Sequence, residues 1–94
     1  MIPSRAETTM EILWTSAAEK ELRKIPANHR VRIVSKVKQF AANPSTQANN
    51  VKPLKGRPES RLRVGDYRVL FSLKDGIVTV LVVHNVRHRS EAYD

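Results

Sequence analysis

Arginines recur in three short stretches of the C-terminal half: Arg61 with Arg63, then Arg68, then Arg87 with Arg89, the last two flanking His88. Tyr93 follows six residues after Arg87. A guanidinium is a planar fork that donates two parallel charge-assisted hydrogen bonds, the geometry a phosphate accepts. Histidine titrates near neutrality when unperturbed, which suits His88 to proton transfer. A phenol has an ordinary pKa of roughly 10, and nearby cations favour its ionised form, so Tyr93 in so basic a neighbourhood is a candidate general base. Together these groups suit one reaction class. RNA carries its own nucleophile in the 2′-hydroxyl, so a protein need only deprotonate it, hold the phosphate and protonate the leaving 5′-oxygen. DNA lacks that hydroxyl, so such a site is RNA-selective for a chemical reason. Each arginine taken alone also has a plainer reading, a solvated outer position on a half-buried strand. His29 and His84 have no evident partner in the sequence and read as structural or surface residues.

The composition agrees with a polyanion binder. The chain has 94 residues and a formal charge of +8, from 17 Lys+Arg against 9 Asp+Glu, which makes nucleic acid the first candidate partner and an acidic protein the second. It contains no cysteine, which removes disulfides, thiolate zinc sites and cysteine nucleophiles together. There is no Walker-type loop, no Cys/His metal spacing and no carboxylate set suited to magnesium, so neither a cofactor nor a metal is expected. With no secretory pattern and no long apolar run, the chain reads as soluble and cytoplasmic.

The elements that must position these groups follow from the patterning. Residues 1–9 (MIPSRAETT) read as a polar tail, or as an extension before an alternative start at Met10, and residues 10–94 as one domain. Glu11 to Thr15 reads as a first strand. Ser16 to Glu19 has the S-x-x-E spacing of a capping box and opens a short helix, Ala17 to Lys24. Pro26 suits the first turn of a second helix, in which Val34, Val37 and Ala41 recur at helical spacing, widened by Ile33 and Phe40. That helix stops at Asn43-Pro44. Ser45 to Arg57 reads as a polar connection. Arg61 to Val64, Tyr67 to Lys74 and Ile77 to Val83 then read as a meander, turning at Gly65-Asp66 and at Asp75-Gly76, the latter a type I′ signal. His84 to Asp94 reads as a polar, basic tail. The expected fold is α+β, with two N-terminal helices packed on a mostly antiparallel four-stranded sheet.

Over roughly Met10 to Asp94 the chain resembles the RelE/ParE toxin superfamily. ILWTSAAEKELRKIP is similar to the family's first strand and helix. VKPLKGRPESRLRVGDYRVLF is similar to its central segment, in which L-x-G precedes R-x-R-x-G-x-Y-R. VRHRSEAY is similar to the closing signature of the RelE-like nucleases, which ParE-like gyrase inhibitors generally lack. The resemblance implies a toxin held in check by an antitoxin: a ribosome-dependent endoribonuclease that cleaves messenger RNA in the A site, next to 16S rRNA, through 2′-hydroxyl attack. It implies phosphate or transition-state contacts for Arg68 and Arg87, a base or stacking platform at Tyr93, and part of the acid role for His88. Arg61 occupies the place of an RNA-binding lysine, and Arg63, Arg89 and Lys55 are further candidate RNA contacts. Glu59 stands where the family's archetype has a second functional lysine, and a carboxylate there cannot do that work. Two other readings stay open: a ParE-like gyrase inhibitor that cuts nothing, and a toxin that only binds its antitoxin.

Overall fold

A computed structural model describes residues 9–91. The chain order is β1 (Glu11–Trp14), α1 (Ser16–Arg23), α2 (Ala27–Ala42), a 3-10 helix (Pro44–Asn50), β2 (Val51–Pro53), β3 (Ser60–Val64), β4 (Tyr67–Lys74) and β5 (Val80–His88). The strands form one five-stranded sheet in the order β1-β5-β4-β3-β2. Only β1 pairs in parallel, with β5; the other neighbours are antiparallel. The α+β class and the mostly antiparallel sheet are as expected, with five strands in place of four.

The helices start and stop where local chemistry says they should, with one shift. Thr15, not Ser16, caps α1: its hydroxyl accepts from the Ala18 backbone N–H at 3.1 Å and donates to the His84 carbonyl at 3.0 Å. The cap therefore also ties the helix to β5. Thr15→Ala is expected to lower stability by about 1 kcal/mol, the usual worth of such a cap, read by denaturant midpoint. Pro26 precedes α2 as its N-cap, one position before the first turn. The core face of α2 is Ile33, Val37, Phe40 and Ala41; Val34 lies half-buried to one side of it. These residues pack on Leu62, Val64, Val69, Phe71, Leu81, Val83 and Val86 of the sheet, with Ala18 and Ile25 closing the core from the α1 side. Phe40 and Phe71 meet with ring centroids 5.0 Å apart.

Three sequence expectations need correction. The polar connection contains the 3-10 helix and the edge strand β2, three residues long. The β4–β5 loop is not a two-residue turn: Lys74 pairs with Val80, so Asp75 to Thr79 all lie in the loop, and Ile77 is fully exposed. Third, β5 does not end at Val83 but runs on to His88, so half of the supposed tail is strand. The apolar run hid this, because the strand continues in polar residues once a bulge interrupts its alternation. Leu70 faces Asn85 and Phe71 faces Val83, which leaves His84 unmatched. One extra residue swaps the two faces of everything that follows. Leu81 and Val83 turn inward before the bulge, and Val86 turns inward after it. Arg87 is thereby placed opposite Arg68, on the other side of the strand from Val86.

Candidate nucleic-acid interface

The strand register builds a row of cations. Arg63 of β3 is opposite Arg68 of β4, and Arg68 is opposite Arg87 of β5. Residues directly opposite on one sheet face sit about 5 Å apart, and like charges so placed destabilise the sheet. Arg61 lies two residues along β3, opposite Leu70 and, on its other side, Lys52 of β2. Each of these arginines alternates with a buried neighbour (Leu62, Val64, Val69 and Val86), so the packed core fixes the direction in which they project. Burial, and then the nearby cations Arg61, Arg63 and Arg89, lower the pKa of Arg68, while Asp66 acts in the opposite direction. An arginine stays charged through such a shift. The row is therefore a concentration of positive charge that a polyanion would relieve.

Local bonds set the posture of the individual side chains. Arg68 donates from Nη1 to the carbonyls of Gly65 and Tyr67, both at 3.1 Å, which ties one nitrogen of its fork to the β3–β4 turn. Gly65 adopts φ +57° there, a conformation other residues rarely take. Arg89 crosses the same turn: its N–H donates to the Asp66 carbonyl at 2.7 Å and its Nε lies 3.7 Å from Asp66 Oδ1. Arg63, Arg68 and Arg89 line an open concavity of about 640 Å³, joined by Arg32 and Lys36 from α2 and by Asn50. Arg32 and Lys36 belong to no sequence motif above; the topology brings them to the arginines.

A second cleft, of about 430 Å³, adjoins the end of β5 and holds Arg87, His88, Tyr67, Glu21 and Glu91. His88 lies opposite Tyr67 on the helix side of the sheet, their rings edge to face at 5.5 Å. Its Nδ1 accepts from the Ser90 N–H at 3.2 Å. A backbone N–H can only donate, so the neutral ring is assigned its proton on Nε2. His29 packs on Tyr67 from α2, with centroids 5.4 Å apart, and His84 Nε2 is 2.7 Å from Ser72 Oγ, so both have structural partners. Glu59 pairs with Arg57 at 3.2 Å in the β2–β3 loop. Lys55 lines a different concavity, with Lys52, Pro53 and Leu54, and is not brought to either arginine cleft. Tyr93 lies outside the described residues, as do residues 1–8. Among the described residues, no group of three or more His, Cys, Asp or Glu is placed to hold a metal ion, and no helix is long and apolar enough to cross a membrane.

A family model described as the ParE toxin of the type II toxin–antitoxin system parDE matches residues 12–93. Solved structures share the fold. The RelBE2 toxin–antitoxin complex of Mycobacterium tuberculosis contains a chain 29% identical, aligned over 86% of this chain and 99% of that one, with a TM-score of 0.61. A mutant of the E. coli toxin RelE in the free state is 27% identical over 88% of this chain and 85% of that one, with a TM-score of 0.65. A chain of the archaeal RelE–RelB complex of Pyrococcus horikoshii, 21% identical over 89% of this chain and 99% of that one, has a TM-score of 0.67 and shows likeness of fold alone. No curated protein sequence gives a significant match.

Proposed function

Because this chain belongs to the RelE/ParE superfamily, matching its ParE toxin family of type II toxin–antitoxin systems, we propose that it arrests translation as a metal-independent endoribonuclease, cutting messenger RNA in the ribosomal A site. The observation that carries this reading is the Arg63–Arg68–Arg87 row running beside the His88 cleft. In the proposed reaction Arg68 and Arg87 hold the scissile phosphate and offset the charge that grows on it. Tyr93, as the phenolate, takes the 2′-hydroxyl proton as that oxygen attacks the phosphorus, and the P–O5′ bond breaks to leave a 2′,3′-cyclic phosphate; His88, as the imidazolium with Nδ1–H toward Ser90 Oγ at 3.0 Å, gives its Nε2 proton to the leaving 5′-oxygen. Arg61, Arg63 and Arg89 hold flanking phosphates of the message or of 16S rRNA, a sequence-independent contribution that weakens as salt rises. Lys55, set apart from the row, is a peripheral RNA contact in this scheme.

The matched family description itself favours a second reading, a ParE-like gyrase inhibitor that cuts nothing. Translation in a cell-free extract followed by primer extension separates the two. New breaks within translated codons are expected; intact message together with inhibited supercoiling would establish the second reading.

A type II toxin has an antitoxin, and several of the similar structures are such complexes. For this chain we assign the antitoxin an acidic or amphipathic segment. The groove between α1 and α2 fits it: apolar Leu22, Val31, Val34 and Ala42 line it together with the cations Arg30 and Lys38. Coupled folding of such a segment buries a large surface. Co-purification with the product of the neighbouring gene checks the pairing, and no binding at low salt would remove it.

A further inference from the structure

Glu21 has no role assigned to it from the sequence, yet its carboxylate accepts three hydrogen bonds from β5 at and beside Arg87. Its Oε1 accepts from the Val86 backbone N–H at 2.8 Å and from Asn85 Nδ2 at 3.3 Å. Its Oε2 accepts from Arg87 Nε at 3.2 Å. The arrangement has a cause in the fold. β1 pairs with β5 only as far as Val83, so among the described residues the same edge of β5 has no strand partner from His84 onward. The chain leaves β1 at Thr15 and turns directly into α1, which runs along that edge and brings a carboxylate to it. The bulge at His84 decides which residues meet that carboxylate.

We propose that Glu21 is a positioning residue for Arg87. It grips the guanidinium by Nε, the inner corner of the fork, and so reserves the two terminal nitrogens for a phosphate. A long arginine side chain otherwise samples many rotamers, and ordering it before the substrate arrives spares that cost at binding. The carboxylate also offsets the repulsion Arg87 meets from Arg68 directly opposite. With both oxygens occupied by donors, Glu21 is suited to hold rather than to accept the proton of the reaction. The inference rests on reading Arg87 as a phosphate ligand of the nuclease.

Glu21→Gln separates aiming from mere edge capping. The amide oxygen can still accept from Val86 N–H, so the cap survives. The other position becomes an NH2 group, which faces the Arg87 Nε–H donor to donor. Melting is therefore expected to stay close to wild type, while kcat on ribosome-bound message falls about 10- to 100-fold, the scale on which a misplaced catalytic group costs rate, with KM little changed. In an Arg87→Ala background Glu21→Gln should cost nothing further. Independently of activity, the NMR signal of the Arg87 Nε–H should be protected from exchange in the wild type and lose that protection in Glu21→Gln. Wild-type cleavage by Glu21→Gln, or an equal loss with and without Arg87, overturns the proposal. If the wild-type protein cuts no message, the nuclease reading is what fails. The Nε–H signal then decides the clamp alone, and unchanged protection in Glu21→Gln overturns it.

Discussion

Arg68→Ala is expected to lower the rate of cleavage of ribosome-bound message by about 10²–10³, and Arg87→Ala to do the same. These factors correspond to about 2.7–4 kcal/mol, the usual cost of removing one donor aimed at charge that develops in the transition state. Neither change should unfold the protein. Both side chains lie outside the core, and their buried neighbours Val69 and Val86 stay in place. The melting temperature should stay close to wild type, since the repulsion relieved in the row offsets the Arg68 hydrogen bonds to the turn and the Arg87–Glu21 ion pair that are lost. Lysine should rescue poorly, because a point charge cannot reproduce a planar fork. Arg63→Ala serves as the comparison. If Arg63 contacts only flanking phosphate, its loss reduces binding and the salt dependence of binding, leaving the chemical step unchanged. Single-turnover cleavage measured at saturating ribosomes separates these effects. Wild-type rates from both Arg68→Ala and Arg87→Ala would show that the site is not a nuclease centre.

The parts of this arrangement that were legible in sequence are those fixed by local signals. β3 and β4 announce themselves by strict alternation around a Gly65-Asp66 turn, so the pairing of Arg63 with Arg68 follows from the hairpin alone. The second helix was legible from its apolar spacing and its stop at Asn43. The first was legible too, though its cap was placed one residue late, since Thr15 and Ser16 are equally good capping residues and only the fold chooses between them. What escaped was non-local. β2 holds Pro53 and two other residues at a sheet edge, too short a run to show a period. The polar end of β5 lay hidden behind a bulge, and no sequence pattern tells which of His84 or Asn85 is the extra residue. That one residue determines whether Arg87 faces the core or joins Arg68, so the candidate site hinged on the least legible feature of the chain. Glu21 escaped for a related reason: a glutamate on an exposed helix turn looks like solvation until a free strand edge is placed beside it.

Leu62 offers the largest expected change in stability, and it tests how the site is supported. The side chain is 1% exposed and sits on β3 between Arg61 and Arg63, paired with Val69 on one side and Val51 on the other. Its burial orients the strand, because adjacent residues on a strand must face opposite ways. Leu62→Ala is expected to cost about 2–5 kcal/mol, the loss of transfer energy plus the cavity left behind. A domain of this kind has about 5–15 kcal/mol in all, so at the middle of both ranges about a third of the folding free energy is at stake. At roughly 4–8 °C per kcal/mol for a chain of this size, melting should fall by at least about 8 °C. Ile77→Ser, at the fully exposed tip of the β4–β5 loop, should stay within about 0.5 kcal/mol of wild type. The two classes of variant then have opposite signatures. Leu62→Ala should melt early yet, well below its transition, cut at a rate near that of the wild type, since the folded fraction still presents all three arginines. Arg68→Ala should melt as the wild type does and cut slowly. A Leu62→Ala protein that keeps its fold at low temperature but loses cleavage as completely as Arg68→Ala would mean that core packing does more than hold β3 in place. The arginine row would then depend on sub-ångström support from the layer beneath it.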